Sequence, residues 1–156
     1  MLWASDPAES DARFTVQDGP GLWYASSQEQ AAWAEPFRHF TGRGIDPFEV
    51  RRRVGAARVE DLSVLDLTDP AVREAVGLTV ADLIGDDYSR TQQIALAAVE
   101  AGFDGILAPS AALPGRMTLA VFPKGMAKVS VVREAVRTAP PRLRVLSPRV
   151  RRRPSD

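Results

Sequence analysis

Residues 89–108 constrain the fold most, because a helical pattern stops there and becomes a strand almost at once. From Ser89 to Ala101, the residues Ile94, Ala95, Ala98 and Ala101 recur on one helical face, and Gly102 supplies the carboxyl-terminal stop. Phe103–Ala108 then reads as an apolar strand. A one-faced helix delivered directly to a strand has to cover the sheet which that strand joins, so a layered α+β chain is expected.

The remaining punctuation agrees. Leu22–Ser26 follows a Gly19-Pro20-Gly21 turn signal and is aromatic enough to be a short buried strand. Ser27 with Gln30 predicts a capping box that opens a helix through Glu35, with Gly42 as its end. Phe48–Val54 and Arg58–Leu67 read as two strands with a turn at Gly55. Asp69 before Pro70, and Thr79 with Asp82, predict caps for small helices filling residues 70–85. A turn at Pro109–Ala112 precedes strands at Met117–Phe122 and Lys128–Val136. The expected architecture is a compact mixed sheet with flanking helices, with no internal repeat.

With 156 residues, 45% hydrophobic and 26% charged, the chain can bury a core without a metal or disulfide staple. It has no cysteine, which forbids disulfides and thiolate metal sites, and its lone histidine, His39, rules out a multi-histidine centre. No metal is therefore expected. The start lacks the basic stretch and long apolar segment of a secretory signal, and no apolar run is long enough to span a bilayer, so a cytoplasmic protein without membrane contact is expected. The net charge of zero hides an asymmetry. Six arginines against one acid fall in 139–156, leaving 14 basic and 19 acidic residues in 1–138. The prolines of 139–156 oppose regular structure, so the chain divides into a domain at 1–138 and a basic Pro/Arg-rich tail at 139–156. No aromatic residue interleaves with those arginines, which argues against a single-strand stacking platform and against direct nucleic-acid binding.

Phosphate-loop, dinucleotide-fingerprint, zinc-protease and nucleophile-elbow motifs are all missing. What remains is a spaced polar set in apolar surroundings: Arg13 beside Phe14, Tyr24 within its strand, and Glu35 after Ala31-Ala32-Trp33-Ala34. On pattern alone, each of these residues has an ordinary structural explanation as a surface arginine, a core tyrosine or a solvated glutamate.

Longer stretches add a resemblance. Tyr88-Ser89-Arg90-Thr91-Gln92-Gln93-Ile94-Ala95, then Gly102–Ala111 with Ser110, then Leu119-Ala120-Val121-Phe122 closely resemble the second half of RES-domain toxins. Ala12-Arg13-Phe14, Leu22–Ser26 and Ala32-Trp33-Ala34-Glu35 look like the segments that carry that family's arginine, tyrosine and glutamate. The likeness spans about residues 2–136. It implies a fold similar to the ADP-ribosyltransferase catalytic fold and an enzyme that consumes NAD+ as substrate. It also implies an Xre-like helix-turn-helix antitoxin as partner, with a homodimeric or higher toxin–antitoxin complex compatible with the chain.

The implied activity is cleavage of the nicotinamide–ribose bond by hydrolysis or phosphorolysis, which depletes NAD+ and arrests growth. Under that resemblance Glu35 hydrogen-bonds the ribose or stabilises the oxocarbenium-like transition state, and can also orient the water or phosphate acceptor. Arg13 pairs with phosphate through its planar fork, and Tyr24 stacks on nicotinamide and holds the ribose. Ser110 donates to the nicotinamide ribose or positions Glu35. Two departures stand out. The first strand reads Leu2-Trp3-Ala4 where relatives commonly carry an arginine, and Thr15 stands where they carry an asparagine; the missing arginine implies either weaker NAD+ binding or the use of Arg38, Arg51 or Arg53 in its place. Arg51-Arg52-Arg53 also reads as the solvated edge of a strand, and His39 as a helix-end residue. Two other readings stay open: an ADP-ribosyltransferase acting on a protein, and a catalytically degenerate module binding through the basic tail.

Overall fold

The computed structural model describes residues 2–4, 12–15, 21–46, 48–49 and 51–138. The tail at 139–156 lies outside the described residues. Strand β1 (Leu2–Ala4), β2 (Trp23–Ser26) and helix α1 (Glu29–Gly42) come first, followed by β3 (Arg51–Val59) and β4 (Val64–Asp66). Then come α2 (Pro70–Ala75), α3 (Val80–Ile84), α4 (Ser89–Glu100), β5 (Gly105–Pro109) and β6 (Met117–Val121). A 3-10 turn at Pro123–Lys128 leads into β7 (Val129–Thr138).

The main sheet has the order β1-β2-β6-β5-β4, and β3 pairs with β7 in a separate two-stranded ribbon. Only β4 and β5 are parallel; the other neighbours in the main sheet are antiparallel. The strands β2, β4 and β5 therefore point the same way and end on one edge of the sheet. A parallel β4–β5 pair needs a long crossover, and α2, α3 and α4 supply it. Tyr24, Ala120 and Ile106 stand side by side in register across β2, β6 and β5. All three are buried and pack with Leu83 of α3 and with Ala95 and Ala98 of α4, alongside Phe14, Leu67 and Phe122.

Local chemistry explains most helix ends. The Asp69 carboxylate accepts the Ala71 N–H with Pro70 in the first turn, and Thr79 with Asp82 forms a reciprocal capping box. After α4, Gly102 takes φ +86°, the Gly102 N–H reaches the Val99 carbonyl, and the Phe103 N–H reaches the Ala98 carbonyl. This is a Schellman motif, which requires the left-handed conformation that glycine adopts at no steric cost. On α4, Ala95 and Ala98 are buried and Ile94 packs against the core as expected, Thr91 joins them one turn earlier, and Ala101 is exposed.

Two expectations are corrected. Gly55 does not form a turn; β3 runs through it, because the long partner β7 pairs continuously with Arg51–Val59 and absorbs the irregularity as a bulge between Ala56 and Ala57. The break falls later, over residues 60–63 where Asp61 takes φ +54°, so the stretch expected as one strand, Arg58–Leu67, is divided between the end of β3 and β4. Ser27 is not committed to a helix cap: its hydroxyl accepts the Met117 N–H and its own N–H donates to the Met117 carbonyl, extending the β2–β6 ladder by one residue. The helix begins at Glu29 instead.

Candidate functional site

The arginine of the polar set sits on a four-residue turn, Ala12–Thr15, whose ends meet through the Thr15 N–H and the Ala12 carbonyl at 3.0 Å. Side chains from two other elements hold this turn. From β2, the Tyr24 hydroxyl accepts the Phe14 N–H at 3.3 Å and lies 3.0 Å from the Thr15 hydroxyl. From α4, the Thr91 hydroxyl donates to the Arg13 carbonyl at 2.6 Å. The Gln92 amide nitrogen donates to the carbonyls of Ala12 at 3.2 Å and Thr15 at 2.9 Å. Tyr24, Thr15 and Thr91 are buried, so these polar groups are withdrawn from water and their mutual bonds are the compensation.

The other end of Arg13 is held as well. Its Nη1 donates to the Gly85 carbonyl at 3.0 Å and the Asp82 carbonyl at 3.3 Å, and its guanidinium lies 4.8 Å from the centre of the Tyr88 ring. These carbonyls belong to the carboxyl-terminal end of α3, where the helix dipole favours a cation. Asp82 is fixed in turn: hydrogen bonds from the Thr79 side chain and backbone, helped by Arg90 at 3.3 Å, hold its carboxyl below the usual aspartate value.

Ser110 is buried just beyond β5. Its N–H donates to the Arg116 carbonyl at 2.7 Å, and its hydroxyl accepts the Leu113 N–H at 3.1 Å, closing the loop between β5 and β6. Register places Pro109 opposite Met117, and Met117 bonds Ser27, so Ser110 and the start of α1 share the edge where β2, β4 and β5 end. Tyr24 lies two strands and four positions away, about 10 Å across the sheet and about 13 Å along it. Arg13 and Tyr24 thus join one network, and Ser110 lies at the carboxyl edge in the loop that follows β5.

Glu35 lies in α1, the helix that leaves that edge, six residues after the helix begins. The side chains of Glu35, Arg38, His39, Arg53 and Trp3 lie outside the described residues. The backbone of position 3, in β1, pairs directly with Tyr24. Arg51 opens β3 and is exposed, as a solvated strand edge would be.

Thr91 and Gln92 are the residues that motif reasoning passed over. The available signal was a threonine one turn before Ala95 and two before Ala98, on the apolar face of an otherwise ordinary amphipathic helix. At the other end of β5, buried Asp104 pins the strand. Its carboxylate accepts from Lys128 at 2.7 Å and from the Ser63 N–H at 2.9 Å, and these bonds hold it below the usual aspartate value. Among the described residues, no group of three His, Cys, Asp or Glu is placed to hold a metal, and no helix is long and apolar enough to cross a membrane.

Comparison with known proteins supplies the deciding observation: the RES domain family model matches residues 1–144. The chain belongs to the RES-domain family. This RES domain is 53% identical over 147 residues to a Mycobacterium tuberculosis protein named as a probable NAD(+) phosphorylase, a match covering 94% of the chain and 70% of the relative. A 63-residue stretch is 46% identical to the NAD(+) phosphorylase MbcT of Mycobacterium bovis, covering 40% of the chain and 34% of MbcT. In three dimensions the domain is similar to a chain in the crystal structure of the M. tuberculosis MbcT-MbcA toxin-antitoxin complex. The TM-score is 0.75 at 28% identity, over 86% of this chain and 76% of that one. The mixed sheet with flanking helices is therefore the RES toxin architecture.

Proposed function

We propose that this RES domain cleaves the nicotinamide–ribose bond of NAD+, passes the ADP-ribosyl group to inorganic phosphate, and acts as the toxin of a toxin–antitoxin pair. The observation that carries this reading is the likeness over nearly the whole chain to a relative named as an NAD(+) phosphorylase. Its cellular consequence would be NAD+ depletion and growth arrest.

The chemistry suits the residues. As the C1′–N1 bond breaks, its electron pair goes to the pyridinium nitrogen, nicotinamide leaves neutral, and positive charge develops on the ribose. A phosphate oxygen then bonds to C1′. Because the leaving group needs no proton, one carboxylate suffices, and Glu35 is assigned to stabilise the ribosyl cation and orient the acceptor. Arg13 is assigned to the pyrophosphate, a charge-assisted pairing its planar fork favours. Ser110 is assigned to the nicotinamide ribose or to positioning Glu35, and no metal takes part. Tyr24 is assigned to the nicotinamide end, and its burial and the bonds of its hydroxyl to the Phe14 N–H and the Thr15 hydroxyl favour a role through the Arg13 turn over ring stacking.

The partner assigned is an Xre-like helix-turn-helix antitoxin that blocks the site, in a homodimeric or higher complex in the cytoplasm. Product analysis tests the acceptor. ADP-ribose 1″-phosphate formed only with phosphate supports phosphorolysis. Free ADP-ribose at the same rate without phosphate would make the enzyme a hydrolase, and radiolabel from NAD+ on a protein would make it an ADP-ribosyltransferase.

A further inference from the structure

We propose that Gln92, assisted by Thr91, is a positioning residue for the reaction: its carboxamide fixes the Ala12–Thr15 turn and thereby sets where the Arg13 guanidinium stands. The proposal rests on the assignment of Arg13 to the phosphates of NAD+. One nitrogen of Gln92 reaches both ends of the turn, the carbonyls of Ala12 and Thr15, while the Thr91 hydroxyl takes the Arg13 carbonyl between them. An uncharged amide suits this task. It presents two donors from a single atom, whereas glutamate would set a carboxylate against two carbonyl oxygens. Tyr88, one helical turn before Gln92, lies against the Arg13 guanidinium, and Asp82 and Gly85 accept from it. The α3–α4 unit therefore grips Arg13 at its backbone and at its tip, so little side-chain freedom is left to lose when an anion binds.

Steady-state kinetics in a double-mutant cycle tests this. Gln92→Met keeps the volume and removes both donors. It is expected to raise KM for NAD+ by about tenfold with kcat little changed, the pattern of a lost uniform binding contact. In an Arg13→Ala background the same substitution is expected to add almost nothing, because its effect passes through Arg13. Equal effects of Gln92→Met in both backgrounds would overturn the proposal, as would an unchanged KM. If Gln92→Met does not fold, Thr91→Val serves instead, because it keeps the shape and removes the hydroxyl that donates to the Arg13 and Tyr88 carbonyls, and the same two outcomes decide. If Arg13→Ala by itself leaves KM unchanged, the phosphate assignment of Arg13 fails and takes the proposal with it. If Arg13→Ala raises KM while the Gln92 and Thr91 variants do not, the positioning role alone fails.

Discussion

Arg13 shows how much of a site a single residue type can announce. The sequence presents it only as a cation beside Phe14, and resemblance alone gives it a role. The structure adds that its backbone and its guanidinium are each held by named partners. Those partners lie about 70 to 80 positions away in the chain, where no local pattern can reach them. Replacing Arg13 with alanine is expected to raise KM for NAD+ by about tenfold or more and also to lower the melting temperature, because the Asp82 and Gly85 carbonyls lose their donor; kinetics and calorimetry on one preparation would check both. Asp104 carries a different prediction. Its carboxyl titrates lower in the folded chain than in the unfolded one, because Lys128 and the Ser63 N–H bond its charged form. Its stabilising effect is therefore complete above the unfolded value near pH 3.9 and is lost as pH falls through the lower folded value. Thermal melts should show Asp104→Asn clearly below the parent at pH 7, with the gap closing below about pH 4. A gap of constant size would mean that the charge of Asp104 does not matter.

Elements were legible wherever their signals were local. Asp69-Pro70, Thr79 with Asp82, and Gly102 each act within one helical turn, and each does what its sequence position implies. Gly55 and Ser27 misled because their fates are set by partners far along the chain: Gly55 by β7 and Ser27 by Met117. The capping box gives a measurable consequence. Thr79→Ala should cost about 1 kcal/mol by chemical denaturation, the usual effect of losing a side-chain cap. Gly102→Ala should also destabilise by about 1 kcal/mol, since alanine is strained at φ +86°. The same substitution at Gly105 should be worse, because an added Cβ would overlap the Ala120 carbonyl oxygen of the adjacent strand, and backbone cannot move aside cheaply. Equal stabilities for the two glycine variants would contradict that ranking.

For the whole molecule, the layered α+β architecture follows from strand-to-helix punctuation, but the strand order does not. Nothing local specifies that β6 inserts between β2 and β5, or that β3 and β7 leave the main sheet to form a ribbon. Within the described residues the ribbon extends to Thr138, which pairs with Arg51. Removal of residues 139–156 is expected to leave NAD+ turnover intact; its loss together with thermal stability would assign the tail to the fold. The proposed activity of the whole molecule turns on one reaction at one carboxylate, Glu35. Its most direct test is NAD+ consumption by the purified parent and by Glu35→Gln, each with and without inorganic phosphate. The parent should consume NAD+ in a phosphate-dependent way, and the folded variant should lose that turnover by a hundredfold or more, about 2.7 kcal/mol of transition-state stabilisation. A folded parent with no turnover, or a variant as active as the parent, would contradict it.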